Sequence, residues 1–361
     1  MPGLIPIRAK GQGLFPVPGW TGEYEWEGYI PFEELPHALN PSSHYIVTAN
    51  NKVVGPDYPY FISQDWAVHR ACRIVQLLEP RDSLSIEDFK AIQADTYSLP
   101  AEKILPYLLA LKPEGWLQER AMNQLKKWDL HEDIDSTGAG IFQVFYLMLV
   151  KNAFADELGP ELFADYLEAD TWHDLALEAM MEEPDNPWFD DTTTPQREGR
   201  DQILARSFDE ACDLLGRRFG DVPHEWAWGR LHTATFEHPL GVVAPLNLIF
   251  NRGPVPARGS GFTVNAARFD YSRFGEPGLV PAEIGQVFAM TSGVSQRLIV
   301  DLSDFSQSLS IHTTGQSGLP FHKHYGDMIR SWQEVKYHPL LWERGEIEKE
   351  KEGLLVLEPE E

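Results

Sequence analysis

The sequence predicts an α+β fold in which a mainly helical block interrupts two β-rich ends. Three observations predict it. Residues 1–64 alternate bulky and polar side chains between Pro-Gly turns. Residues 65–219 carry apolar residues at helical spacing. Residues 220–345 return to short strand-like runs broken by glycine and proline. An acidic tail, 346–361, follows. The helical block reads as an excursion from a sheet within one mixed unit, and no internal repeat is visible.

Taken in order, "GLIPIRA" is a short alternating run. "FPVPGWTGEYEWEGYIPF" predicts a hairpin. "HYIVTA", residues 44–49, predicts a buried strand that ends on the pair Asn50-Asn51. Asn is a poor strand residue and a good loop residue. It is also a neutral side chain able to aim a fixed N–H at a developing negative charge. "DWAVHRACRIVQLL" places Trp66, His69, Ile74, Leu77 and Leu78 at helical spacing, and Ser85 with Asp88 predicts a capping box. Amphipathic helices are expected in "PAEKILPYLLALKP", "LQERAMNQLKKW", "GAGIFQVFYLMLVKNAFADEL", "GPELFADYLEADTWHDLALEAMME" and "GRDQILARSFDEACDLLGRRFG". "EEPDNPWFDDTTTPQ" reads as an acidic loop. Strands are expected in "GFTVNAARFDYS", "VFAMTSGVSQRLIVDLSD" and "SLSIHTTGQSG". "GQSGLPFHKHYGDMIRSWQEVKYHPLLW" predicts a glycine turn and then a helix with Tyr325, Met328, Ile329 and Trp332 toward the core.

Composition narrows the function. Hydrophobic residues make up 43% and aromatic residues 12%, with eleven Trp and twelve Tyr. That suits a packed globular chain; a large aromatic core is the plainer reading and an aromatic-lined ligand site the sharper one. A net charge of −25 argues against nucleic acid as a partner, because phosphate binding needs clustered Lys and Arg. Cys72 and Cys212 allow one disulfide or two free buried thiols, the second being the expectation. No run approaches eighteen uncharged apolar residues, so no membrane span is expected. The first twenty residues contain no apolar signal core.

Motifs for other chemistries are weak. His37, His44 and His69 lie near the Asn pair without i,i+4 pairing, "HKHY" sets His322 and His324 two apart, and His232 and His238 flank "TATFE". A zinc site needs a further ligand that the pattern does not supply, so core or hydrogen-bonded histidines are the default. "FDDTTT" and "DIDSTG" lack the Gly and Glu of a calcium loop. "GPVPARGSGF" lacks a phosphate loop's Lys-Ser. "GQSG" and "TSGVS" lack the spacing of a serine nucleophile elbow.

Six strings, from residue 3 to about 342, carry a more specific signal together than singly: "PVPGWTGEYEWEGYIPFEELP", "NPSSHYIVTANNKVVGPDYPY", "HRACRI", "WAWGRLH" with "FEHPLG", "TVNAARFDYS", and "SLSIHTTGQSGLPFHKHYGDMIRSWQEVKYHPLLW". In this order they resemble the penicillin acylase family of N-terminal-nucleophile hydrolases, which includes cephalosporin and acyl-homoserine-lactone acylases. The resemblance implies an αββα fold and a self-cleaved precursor. Its exposed Ser attacks an amide with its own α-amine as base. It also implies an oxyanion-hole Asn in an Asn-Asn pair and an ordering Arg downstream. The matching positions are Asn50 and Arg70, with Arg73 as the second choice for the arginine. Asn51 is expected to bond the loop backbone.

The sequence departs from the family at one point. It has no Ser-Asn processing point and no Ser, Thr or Cys at its start, and loss of Met1 would expose Pro2. The opening "GLIPIR" resembles a segment well inside the family's large chain. The expectation is therefore that the small chain and the start of the large chain, with the nucleophile, lie outside these residues. They would be the partner if separately encoded. The substrate would be a small-molecule amide, linear or on a β-lactam side chain. No cofactor is expected, since the family's calcium site draws most of its ligands from the missing parts. Resemblance alone suggests a periplasmic or secreted protein. The alternative readings are a non-catalytic scaffold that binds a hydrophobic acyl ligand or a partner chain, and a gene product without function.

Overall fold

Prolines and glycines leave the described residues before His69 with little regular structure. The computed structural model describes residues 3–62, 66–168, 172–275 and 284–359, in two units, Met1–Pro80 and Arg81–Glu361. In the first unit, β1 (Pro6–Arg8) pairs antiparallel with β2 (Trp26–Tyr29). The expected hairpin within residues 15–32 is absent: Gly19–Thr21 makes a single 3₁₀ turn, and the partner of β2 is the earlier run. Ile30, Leu35 and Ile62 form a small core, with Ile5, Ile7, Tyr58, Tyr60 and Trp66 packed on it. α1 (His69–Leu78) turns His69, Ala71 and Leu78 inward.

"HYIVTA" is not a buried strand. Residues 45–48 have no ladder partner among the described residues, Ile46 is 64% exposed, and only Ala49 is buried. The backbone supplies the reason. His44 (φ 61°) and Asn50 (φ 60°) both lie in the left-handed region. The segment is held between two sharp turns that do not lead into a ladder. Apolar content here does not mark sheet pairing.

The second unit begins with α2 (Ile86–Ala94), capped as expected: Ser85 Oγ accepts from Asp88 N, and Asp88 Oδ2 accepts from Ser85 N at 2.8 Å. Then come α3 (Leu99–Leu109), α4 (Trp116–Leu125), α5 (Thr137–Glu168), α6 (Trp172–Met180) and α7 (Arg200–Phe219). α5 breaks at Gly159 (φ 68°), followed by Pro160, where the sequence separates two helical segments.

α5 is not amphipathic at its start. Every residue from Gly138 to Val150 is buried, so the helix is covered on all sides. Two glycines permit this. A Cβ on Gly138 would lie 2.2 Å from Trp128 Cγ, and one on Gly140 2.1 Å from the Trp226 carbonyl oxygen. By length and composition α5 also suffices to cross a membrane, contrary to expectation, but 83% of its apolar window is buried within the protein. Its polar interruption is satisfied internally, with Lys151 paired to Glu210 at 3.0 Å and Asn152 donating to Ser207.

The strands that follow are short. β3 (Thr233–Phe236) pairs with β4 (Arg252–Pro256), and the one-turn helix α8 (Asn247–Phe250) lies between them in sequence. β5 (Ala267–Arg268) pairs with β6 (Ser292–Gly293), with α9 (Ile284–Val287) between. β7 (Gln296–Ile299), β8 (Leu309–His312) and β9 (His338–Pro339) form an antiparallel sheet in that order. The helix expected after "GQSG" shrinks to α10 (Ile329–Gln333), behind a 3₁₀ turn at Lys323–Tyr325, yet Tyr325 and Trp332 are buried as expected. α11 (Arg344–Glu350) and residues 351–359 are exposed. Both cysteines are free. Cys212 is buried, and burial pushes its thiol up, whereas Cys72 is exposed, contrary to expectation.

Glu132 yields a pH prediction. It is wholly buried; Gln143 Nε2 donates to its carboxylate at 2.7 Å, and its main-chain oxygen accepts from Gly259 N at 2.7 Å. Burial raises its carboxyl from 4.5 to about 7, against the lowering effect of Ser260, Ser98 and Gln143. Between those values the native state keeps a proton that the unfolded chain has released. Its stabilising contribution is therefore complete below 4.5 and lost as pH rises through about 7. The upper bound is about 3 kcal/mol at 1.36 kcal/mol per unit. Glu132→Gln is expected to remove this slope, raising the urea midpoint relative to the parent at pH 8 but not at pH 4.

Candidate functional site

The site grows from the turn at Asn50. A left-handed backbone is costly for most side chains, and Asn tolerates it better than most. The turn is then fixed by hydrogen bonds on both sides. The Asn50 carbonyl oxygen accepts from Ala67 N at 3.0 Å. Asn51 Oδ1 accepts from Ala49 N at 2.9 Å, and Asn51 Nδ2 donates to the Lys52 carbonyl at 3.2 Å. The loop bonding expected of Asn51 is present.

Arg70 stands in the first turn of α1, half-buried, beside the exposed Asn50. Its Nη2 donates to Asn50 Oδ1 at 2.8 Å. A guanidinium only donates, so the amide oxygen must face the arginine and Nδ2 must face away from it. Asn50 thus offers two outward N–H donors, with a permanent positive charge behind them. Arg73, the second choice, instead bonds Gln76 along its own helix at 3.3 Å. The family resemblance brings Asn50 and Arg70 into view. It does not reveal Ala67, whose contribution is a main-chain N–H with no side-chain signature.

Other candidates resolve as structure. His37 Nδ1 bonds the Leu35 carbonyl at 2.8 Å. His232 is buried, stacks on Trp228 at 4.7 Å and bonds the Phe288 carbonyl at 2.7 Å; burial lowers its pKa to about 4 despite that bond. His324 pairs with Asp327 at 2.7 Å, which raises its pKa, and Ser317 Oγ accepts from Leu319 N within a turn. Among the described residues no group of three or more His, Cys, Asp or Glu is arranged to hold a metal ion.

"WAWGRLH" is packing. Trp226 and Trp228 are fully buried, and their Nε1 atoms donate to the carbonyls of Gly220 and Gly259 at 2.9 and 3.0 Å.

Comparison with known proteins places this geometry in context. A family model described as penicillin amidase matches residues 1–349. The acyl-homoserine lactone acylase QuiP of Pseudomonas aeruginosa is 30% identical over 93% of this chain and 42% of its own length. The penicillin acylase 2 proenzyme of Pseudomonas sp. strain SE83 is 30% identical over 94% of this chain and 42% of its own. The chain thus spans less than half the length of these curated relatives. Among solved structures, a thermostable penicillin G acylase from Alcaligenes faecalis superposes with a TM-score of 0.60 at 17% identity. That match covers all of this chain and 65% of the other, and shows a shared fold.

Proposed function

Because the chain belongs to the penicillin amidase family, we propose that it supplies the oxyanion-binding side of an amide-hydrolysing acylase. The observation that carries this reading is the bond from Arg70 to Asn50, which turns the amide N–H groups outward. In this reading an N-terminal Ser, on polypeptide outside these residues, attacks the substrate carbonyl with its own α-amine taking the proton. Negative charge builds on the carbonyl oxygen, and Asn50 Nδ2 donates to it. Asn50 is the catalytic donor. Arg70 is a positioning residue that holds Oδ1 and adds positive potential without touching substrate. Collapse of the tetrahedral intermediate expels the amine, and water then frees the acyl group.

Two features favour further polypeptide outside these residues, a partner if separately encoded. The curated relatives extend well beyond the matched region. The first unit has a core of three buried residues, while Phe15, Trp20 and Phe32 are 80%, 89% and 79% exposed. Exposed aromatics of this size are usual at surfaces that another chain covers. The substrate in this reading is a small-molecule amide, linear or on a β-lactam side chain, in keeping with relatives named as acyl-homoserine lactone and penicillin acylases.

The test is turnover of a chromogenic phenylacetyl amide and of an acyl-homoserine lactone. The chain is assayed alone and co-expressed with the upstream polypeptide of a relative. No turnover is expected from the chain alone, and measurable turnover from the pair. Hydrolysis by the isolated chain would overturn the assignment of the nucleophile to another polypeptide.

A further inference from the structure

We infer that Asn51 is a positioning residue that sets the aim of Asn50; this rests on the oxyanion role proposed for Asn50. The geometry is a strap. Asn51 Oδ1 reaches back across Asn50 to the N–H of Ala49, which is buried. The residue in between is thereby closed into a ring of side chain and main chain. On the other side the Asn50 carbonyl oxygen is tied to Ala67 N, two residues before α1. Rotation of Asn50 out of φ 60° would break both ties. The Arg70 bond fixes only the far end of the side chain. It can aim Nδ2 only if the Cα from which that side chain springs is also fixed. Asn51 does this with its amide oxygen, while its Nδ2 donates to the Lys52 carbonyl.

This gives the two adjacent asparagines different jobs. Asn50 uses its amide nitrogen on the ligand side. Asn51 uses its amide oxygen on the backbone. The replacement tolerated at each position differs accordingly. Asp at 51 keeps the acceptor oxygen that holds Ala49 N, whereas Leu has the size and no acceptor, and Ser is too short to reach.

The experiment uses the full chain labelled with ¹⁵N-asparagine, with the Asn50 side-chain amide signal identified by its loss in Asn50→Ala. In the parent and in Asn51→Asp this signal is expected to be rigid and displaced from the position of a free amide. In Asn51→Leu and Asn51→Ser it is expected to move to the free-amide position with fast internal motion, while other asparagine signals stay put. An unchanged, rigid Asn50 signal in both broken variants would overturn the inference. So would loss of all dispersed signals in both, because Asn51 would then hold the whole unit and not one side chain. In the reconstituted acylase, Asn51→Leu is expected to lower kcat at least tenfold with KM unchanged, and to add nothing to Asn50→Ala. An equal further loss in the Asn50→Ala background would also overturn it. The proposed function fails on a different result, an Asn50→Ala acylase with undiminished kcat, on which the amide signals of the parent and the Asn51 variants do not depend.

Discussion

Asn50→Ala in the reconstituted acylase is expected to lower kcat by roughly 10²–10³ while leaving KM nearly unchanged. The split follows from when the donor acts. A ground-state carbonyl carries little charge and gains little from Nδ2. The tetrahedral oxygen carries a full charge and gains most. Removal of one such donor costs about 2.7–4 kcal/mol of barrier. Asn50→Asp separates donation from shape. It is nearly isosteric and keeps an oxygen for Arg70, but it replaces the donors with a negative charge facing the oxyanion. It is expected to be at least as impaired as Asn50→Ala. If the aspartate variant retains parental kcat, Asn50 is not the donor. Arg70→Lys is the milder companion, since lysine can reach an acceptor but lacks the planar fork. Stopped assays with the phenylacetyl amide over a substrate series give both constants.

The largest stability effect is expected from Trp228→Ala, about 3–5 kcal/mol. Trp228 is fully buried in the main core of the second unit. It stacks on His232 at 4.7 Å, and Phe269 and Phe288 meet it edge-on at 5.7 and 5.5 Å. Its indole N–H satisfies the Gly259 carbonyl. Truncation removes the aromatic contacts, opens a cavity beside α5 and leaves that carbonyl without its donor. Trp228→Phe keeps the ring contacts and loses the hydrogen bond. It is expected to cost distinctly less, and the difference isolates the cavity. Urea unfolding followed by far-ultraviolet circular dichroism checks both. A change under 1 kcal/mol in Trp228→Ala would mean that this core is not built around the indole.

How much of this was legible depends on the range of the forces involved. Helices with local signals were readable. The Ser85–Asp88 cap is written within four residues, and the break at Gly159-Pro160 is a property of two neighbours. Elements whose character depends on distant partners were misread. "HYIVTA" has the composition of a strand, but a strand needs a ladder partner, and left-handed turns at His44 and Asn50 deny it one. Periodicity predicts amphipathic first turns for α5, yet they are covered on all sides. Gly138 and Gly140 admit Trp128 and the Trp226 carbonyl to faces that a periodicity rule assigns to solvent. The aromatic strings divided in the same way: "WAWGRLH" is core, which burial decides and composition does not.

The sequence by itself determined the class of fold, the place of most helices and the family resemblance, and through that resemblance it put forward Asn50 with Arg70 or Arg73. It did so because those features are carried by residue type and spacing. Only the tertiary structure decided which arginine meets Asn50, which way the amide points, and what holds the turn beneath it. Those depend on angles and on main-chain N–H groups such as those of Ala49 and Ala67. Every residue but proline has such an N–H, so no residue type in the sequence marks where it will bond.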